Sequence, residues 1–462
     1  MSDENKKRTA KIELPEITRV DGHEAVYVDI EGDEVTSVRL DVFEGARFFE
    51  KLVTGKSYRE MPHITSRVCA ICSTGHVIAA IRAIEKIAGF SPDRYCRLFR
   101  ELMHLGMIIE SNATHLFALA LPDFLGFEDV YQFATEHTAE FKMWTGMRNT
   151  GATIQTTIGG RPFHPVNLHA GGFSSYPNKE ALSQIETLLK ERLDDAIKLF
   201  EMFAAFKPPV ARTSEPVFLA LIPEEDHYGY FGDRVRASNG FEAAIEEYNN
   251  YLFEESVDYS HAKHSTFEGK PIMVGSLARL RLYSERLGKR ARDLYCTTPI
   301  FQGDSNSIYN NLGQAIEIVE AIERGIAVVR ELLESSPEWL GKKPRQEIPG
   351  SFEELSDKAE LRRGVGSVEC PRGTLYHDFS VDSAGMVVEA NMITPSAQNT
   401  ARIELDIREV VGTLLKRGGL EEEIERNLHT DLETLVRAYD PCNTCATHTV
   451  SVRYRPSSRI DH

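Results

Sequence analysis

Hydrophobic and polar positions alternate along residues 12–42, with Val26, Val28 and Ile30 on one face and Glu31-Gly32-Asp33 ahead of Val35. A period of two broken by such a turn predicts a half-buried antiparallel hairpin. From residue 77 to 121 the period lengthens: VIAAIRAIEKIAGF and CRLFRELMHLGMIIESNATHLFALAL space their apolar residues as helices do. Ser91-Pro92-Asp93 supplies the break and the new start, so two long, mostly buried helices are expected. Residues 179–206 and 312–334 repeat the amphipathic pattern, the second with Ile318, Ile322, Ile326 and Val329 on one face, and the middle of the chain is expected to be helical. Residues 373–396 predict a second hairpin turning at Ser383-Ala384-Gly385, followed by helices at 402–416 and 421–438. The expected fold is mostly α with small β elements, an α+β arrangement around a large helical core.

At ~150 residues per domain, a chain of 462 residues could hold three. No internal repeat, Gly/Ser/Pro-rich linker or shift in composition forces a boundary, so one unit is the simplest reading. Hydrophobic residues at 42% and charged residues at 27% match ordinary globular usage and exclude a low-complexity protein. The balance of 53 basic against 70 acidic residues leaves a formal charge of −17, which repels a polyanion, so no nucleic-acid partner is expected. The first residues hold no apolar export core, and no stretch approaches the ~18 uncharged apolar residues of a membrane helix. A soluble chain without direct membrane insertion is expected.

Seven cysteines are too few, and odd in number, for a disulfide-stapled scaffold. Cys96, Cys296 and Cys370 are single, whereas Cys69 with Cys72 and Cys442 with Cys445 form two CxxC pairs near opposite ends of the chain. Thiolates suit soft metals, and two intervening residues let both sulfurs reach one ion from a tight turn. Zinc ribbons keep their pairs ~15–20 residues apart, whereas most of this chain lies between the two. Convergence would therefore bury the metal where the chain ends meet. Spacing alone leaves three readings: a structural zinc site, two independent redox motifs, or a reactive metal centre. Gly159 to Gly172, rich in Gly, Pro and His, reads either as a site-lining loop or as an ordinary connection.

The flanking residues narrow the choice. Arg67-Val68-Cys69-Ala70-Ile71-Cys72-Ser73-Thr74-Gly75-His76 and Asp440-Pro441-Cys442-Asn443-Thr444-Cys445-Ala446-Thr447-His448 match RxCxxCxxxH and DPCxxCxxH, and resemble the two cysteine signatures of nickel-iron hydrogenase large subunits. Thr18 to His23 is similar to that family's RxEGH element, Glu44 to Glu50 to the segment ending in its acidic ligand, and Glu369-Cys370-Pro371-Arg372-Gly373 to its EAPRG element. Gly159 to Gly172 and Ile393 to Asn399 also have counterparts there.

The resemblance implies a catalytic subunit that reversibly and heterolytically oxidises H2 to two protons and two electrons. Cys69, Cys72, Cys442 and Cys445 would hold nickel, and Cys72 and Cys445 would bridge to an iron carrying CO and CN ligands. Arg372 would place its guanidinium over the open metal position beside Asp440 and after Pro371. Ser396 would donate to a cyanide, and His76 would orient a bridging thiolate. Glu50, His448 and the main chain of Met392 would hold magnesium, a hard cation that suits oxygen ligands. Asp21 stands where the family has the glutamate of its proton gate; direct contact through the shorter arm, a bridging water, or substitution by Glu24 are the alternatives. A second canopy acid of many members aligns with Ser111.

Residues 1–448 would form the large-subunit domain. Thr449 to His462 would be an extension removed after His448 by a maturation endopeptidase once nickel-insertion proteins have loaded the centre. The cysteines left over make no iron-sulfur ligation set in this chain, so electrons would leave through an iron-sulfur small subunit. The expected setting is the cytoplasmic, multimeric branch, with acceptor subunits of NAD(P), deazaflavin or heterodisulfide reductase type. Two rival readings are a protein like the quinone-chamber subunit of respiratory complex I, which lacks the four-cysteine shell, and a helical scaffold stapled by zinc.

Overall fold

The computed structural model describes residues 9–46, 48–127, 130–211, 213–340, 361–416 and 422–447. The alternation near the N-terminus yields three strands rather than two: β1 (Thr9–Leu14), β2 (Glu24–Glu31) and β3 (Glu34–Val42) pair antiparallel in that order. Val26, Val28 and Ile30 are buried, and Gly32 turns the chain with φ of 65°, where a side chain would be strained.

A short helix α1 (Phe49–Val53) precedes α2 (Ser73–Ile87) and α3 (Arg94–Thr114). The expected break between the last two is present, and Asp93 caps α3 by accepting the Cys96 N–H at 2.7 Å. α2 is buried on nearly every side, as a central helix must be. α3 then widens into a π turn over His115–Ala120, a local irregularity that often marks functional sites. Around α3 pack α4 (Thr138–Gly159) and, further along the chain, α7 (Tyr309–Glu334), which also rests on α5 (Lys179–Ala205). Ion pairs Arg94–Glu331 and Arg324–Glu101 show that α3 and α7 run antiparallel.

The helical middle is interrupted. Strands β4 (Val217–Leu221), β5 (Arg234–Ala237), β6 (Glu242–Ala244), β7 (Leu252–Ser256), β8 (Lys263–Phe267) and β9 (Lys270–Met273) form a sheet of order β6-β5-β4-β9-β8-β7, with β9 parallel to β4 and the other neighbours antiparallel. Each strand is too short to show a sustained period of two, which is why the sequence pattern passed over them. Helix α6 (Ser276–Tyr283) follows.

The second hairpin also gains a strand: β10 (Leu361–Cys370), β11 (Gly373–Asp382) and β12 (Val387–Ile393) pair antiparallel in that order. α2 lies directly on β10, and a Cβ at Gly366 would sit 2.0 Å from the Ala79 carbonyl oxygen. Only glycine allows helix and strand this close. α8 (Pro395–Lys416) begins seven residues before the expected 402, because its first turns bury Ser396, Gln398 and Asn399 and so lack an apolar stripe. Pro395 suits a first helical position, where no N–H is needed. α9 (Glu422–Ala438) leads to a final turn of helix, α10 (Asn443–Ala446). The two ends of the chain are stitched together where α8 meets β3, with Leu40 N–H on Glu404 at 2.8 Å and Arg408 on the Val35 carbonyl at 2.7 Å. Among the described residues no helix is long and apolar enough to cross a membrane. His448, Thr449 and the extension to His462 lie outside the described residues.

Candidate metal centre

Cys69 and Cys72 occupy the turn that enters α2, and the Cys72 N–H points back to the Cys69 sulfur at 3.4 Å. Cys442 and Cys445 form a second turn at the other end, here with the Cys445 N–H on the Cys442 carbonyl at 3.0 Å. The two turns meet, and all four buried sulfurs lie within 4.8 Å of one another. Cys69 and Cys442 are 3.6 Å apart, Cys72 and Cys445 3.5 Å, and Cys442 and Cys445 2.7 Å. Metal–sulfur bonds of ~2.3 Å in a tetrahedral shell would put sulfurs ~3.7 Å apart, so the two cross-chain separations fit one shared ion.

In the protein alone the four thiols cannot all ionise. Hydrogen bonds from Cys442, Cys445 and Cys72 hold Cys69 well below the usual thiol range. Burial raises Cys442, but bonds from Cys445 and Cys72 outweigh it and leave the thiol at about 7. Cys72 is pushed well above the usual range, first by its bond with Cys442, and Cys445 likewise, first by burial. A bound cation would deprotonate all four.

Asp440 shapes the approach to the second pair. Its backbone is left-handed, with φ of 52°, a strained conformation for a non-glycine residue, and its N–H bonds the Arg437 carbonyl at 2.8 Å. Arg372 grips it twice, Nε on the carbonyl at 2.6 Å and Nη2 on Oδ1 at 2.8 Å, while Gln314 donates to Oδ2 at 3.1 Å. Burial disfavours the Arg372 charge, but Asp440 and the sulfurs of Cys442, Cys72 and Cys69 outweigh it and keep the guanidinium protonated. Its Nη1 is buried without a partner among the described residues. Arg372, Cys72, His76, Cys370, Leu375, Pro395, Ser396, Cys442 and Cys445 line a small enclosed cavity beside the sulfurs.

Ser396 Oγ accepts the Cys442 N–H at 2.9 Å, which leaves its own hydrogen to point elsewhere. His76 lies with Nε2 4.0 Å from the Cys445 sulfur and Nδ1 3.0 Å from His377 Nε2. Pro371 is buried, with its carbonyl bound by Arg279 at 3.1 Å, and Pro395 rather than Pro371 lines the cavity.

Asp21 reaches the cysteine directly. Its Oδ2 accepts from the Cys442 sulfur at 2.9 Å and from Thr444 Oγ1 at 2.5 Å. The shorter arm suffices because the backbone itself is drawn in: Asp21 bridges to Cys442, and its carbonyl accepts the Asn443 N–H at 2.8 Å. The negative sulfur of Cys442 is the main cause that raises this carboxyl to about 7, with burial second. Glu24 is completely buried near Asn443 and Arg437, and loss of water raises it to about 7 as well. Glu50 sits half-buried on α1, which packs against the strand that carries Met392. Ser111 is buried in α3. The loop at Gly159 to Gly172 supports the site from behind: the His164 N–H donates to Ser73 Oγ at 2.9 Å, next to Cys72.

Four contributors carried no sequence reading of their own. Thr444 lies inside the second CxxC, and Cys370 adjoins Pro371-Arg372, so motif context was the available signal for both. His377 lies on β11, the strand that begins just after Arg372, but its pairing with His76 is decided by the tertiary packing. Gln314 comes from α7, where nothing local marks it.

Residues 47–147 and 211–448 match the family model described as nickel-dependent hydrogenase. The alpha subunit of sulfhydrogenase 1 from Pyrococcus furiosus is 36% identical over 95% of this chain and 98% of its own length. One subunit of the vhu F420-non-reducing hydrogenase from Methanococcus voltae is 29% identical over 88% of this chain and 99% of its own. Among solved structures, an NAD+-reducing [NiFe]-hydrogenase in the H2-reduced state superposes with a TM-score of 0.80 and 25% identity, covering 96% of this chain and 100% of that one.

Proposed function

Since the chain belongs to the nickel-dependent hydrogenase family, we propose that its four cysteines hold a nickel–iron pair at which H2 is reversibly split into two protons and two electrons. The chain is the catalytic large subunit, an oxidoreductase acting on H2. The observation that carries the reading is the convergence of four buried sulfurs beside a cavity lined by Arg372, whose Nη1 has no partner among the described residues. Cys69 and Cys442 would hold nickel, and Cys72 and Cys445 would hold both nickel and the iron with its CO and CN ligands. The bound pair supplies soft, redox-active chemistry for heterolytic cleavage.

The protein's own groups do the rest. Arg372 presents a fixed positive charge, pre-oriented by Asp440, so no reorganisation is needed when charge develops. Ser396 lines the cavity and spends only its acceptor on Cys442, so its hydroxyl hydrogen is available to an anionic nitrogen that would otherwise lack a donor. His76, held by His377, steadies Cys445. Cys442 hands its proton to Asp21, which its 2.9 Å contact makes the first carrier, and Glu24, a fully buried carboxyl near Asn443, is a candidate second carrier. Glu50, the main chain of Met392 and His448 would hold magnesium, a hard cation that takes oxygen and imidazole donors.

A partner is implied by relatives that belong to multisubunit hydrogenases. We assign it as an iron-sulfur small subunit, in a cytoplasmic complex whose further subunits set the electron acceptor. Elemental analysis with infrared spectroscopy of the natively purified complex tests the centre. Nickel, iron and CO and CN stretching bands are expected, whereas zinc without nickel would replace this reading with a structural site.

A further inference from the structure

We propose that Arg279 is a positioning residue for H2 chemistry: it sets the corner that carries Arg372 and thereby aims that guanidinium at the metal centre. The inference rests on the role given to Arg372 above. Arg279 lies on α6, is buried, and is absent from the residues that line the cavity. Whatever it does for catalysis it therefore does through a neighbour.

Its five N–H groups are all engaged. Nε and Nη2 hold both oxygens of Glu317 at 2.6 and 2.8 Å. Nη1 donates to Glu369 Oε2 at 2.8 Å and to the Cys370 carbonyl at 3.0 Å. Nη2 also donates to the Pro371 carbonyl at 3.1 Å and to Ser276 Oγ at 3.2 Å. One planar cation thus ties α6 and α7 to the last two residues of β10 and to the two carbonyls that immediately precede Arg372. The acids are held in turn, Glu369 by the Leu221 N–H at 2.8 Å and Thr374 Oγ1 at 2.6 Å, and Glu317 by Tyr228 at 2.6 Å.

The corner has no slack on its other side. Gly373 takes φ of 130°, and a Cβ there would meet Val274 Cγ2 at 2.4 Å. Arg372 is then fixed from behind by Arg279 and in front by Asp440, so that among the described residues Nη1 is left without a partner. Lysine keeps the charge, but as a point donor on a flexible stem it cannot span two carboxylates and two carbonyls in one plane.

The test compares the parent complex with Arg279→Lys and, in case that variant fails to fold, with Glu317→Gln, which keeps Arg279 but loosens its grip. Nickel content, kcat and KM for H2, infrared band positions and amide hydrogen exchange of the Glu369–Thr374 peptide are measured. Misplacement near 1 Å predicts a fall in kcat per nickel of about 100-fold for Arg279→Lys with KM nearly unchanged, since orientation rather than binding is lost. CN bands shift, and exchange quickens at Glu369–Thr374 before it does elsewhere. Glu317→Gln gives the same pattern at smaller amplitude. Parent-like kcat per nickel and band positions overturn the proposal, as does loosening spread evenly over the chain, which marks a structural role. A parent without CO and CN bands would instead refute the nickel–iron reading itself.

Discussion

Glu24→Gln should make the protein more stable at alkaline pH and leave it unchanged in acid. The side chain is fully buried at the start of β2, and loss of water moves its carboxyl from 4.5 to about 7 even though Asn443 and Arg437 favour the anion. That displacement corresponds to ~3 kcal/mol between the protonation states. Below 4.5 the carboxyl is neutral in the folded and unfolded chain alike, and folding carries no penalty. Between 4.5 and about 7 the folded chain holds a proton that the unfolded chain has released, so stability falls as pH rises. Above that window the anion is buried and the full cost applies. Glutamine has the same shape and no charge, so the variant gains up to ~3 kcal/mol on the parent near pH 8 and nothing at about pH 3, well below both values. Urea midpoints of the metal-free chain, read as differences between variant and parent across that range, measure the effect. A difference that stays flat with pH would refute the claim that Glu24 is a desolvated carboxyl.

Two further substitutions probe the centre. A Cβ at Gly75 would lie 2.4 Å from the Cys370 sulfur, so Gly75→Ala should cost ~1–3 kcal/mol by overpacking, and Cys370→Ala in the same chain should recover most of it. Purely additive thermal shifts in the double variant would rule out that contact. Asp21→Asn keeps the size but removes the acceptor of the Cys442 proton, and should lower H2 oxidation ~10²–10⁴-fold with nickel content unchanged. Full activity in both Asp21→Asn and Glu24→Gln would eliminate both as the gate.

Much of the molecule is local, and local features are legible in a chain. The 3.6-residue spacing of Val77 to Ile87 and of Ile318 to Val329 marks helices wherever they end up, and Asp93 caps its helix through its own next turn. The two CxxC pairs with their Arg67, His76 and Asp440 flanks likewise announce a metal chemistry, because ligand spacing within a turn is a property of the chain itself. What depends on closure is not written locally. The six short strands between residues 217 and 273 gain their hydrogen bonds from one another, so no single segment carries enough periodicity to reveal the sheet.

The same division runs through the site. Sequence determined which atoms could act: four thiols, one guanidinium in Pro371-Arg372-Gly373, and a carboxyl one methylene short at Asp21. Tertiary structure decided whether they meet. Asp21 reaches Cys442 because its backbone is hydrogen-bonded to the second cysteine turn, a fact about two segments at opposite ends of the chain. Cys370 fits only because Gly75 has no side chain where α2 crosses β10. Arg279, unremarkable in its own stretch, becomes the tie between α6, α7 and the arginine corner. Side-chain directions at distant positions are set by the packing of whole elements, and only the folded chain brings those directions to one point.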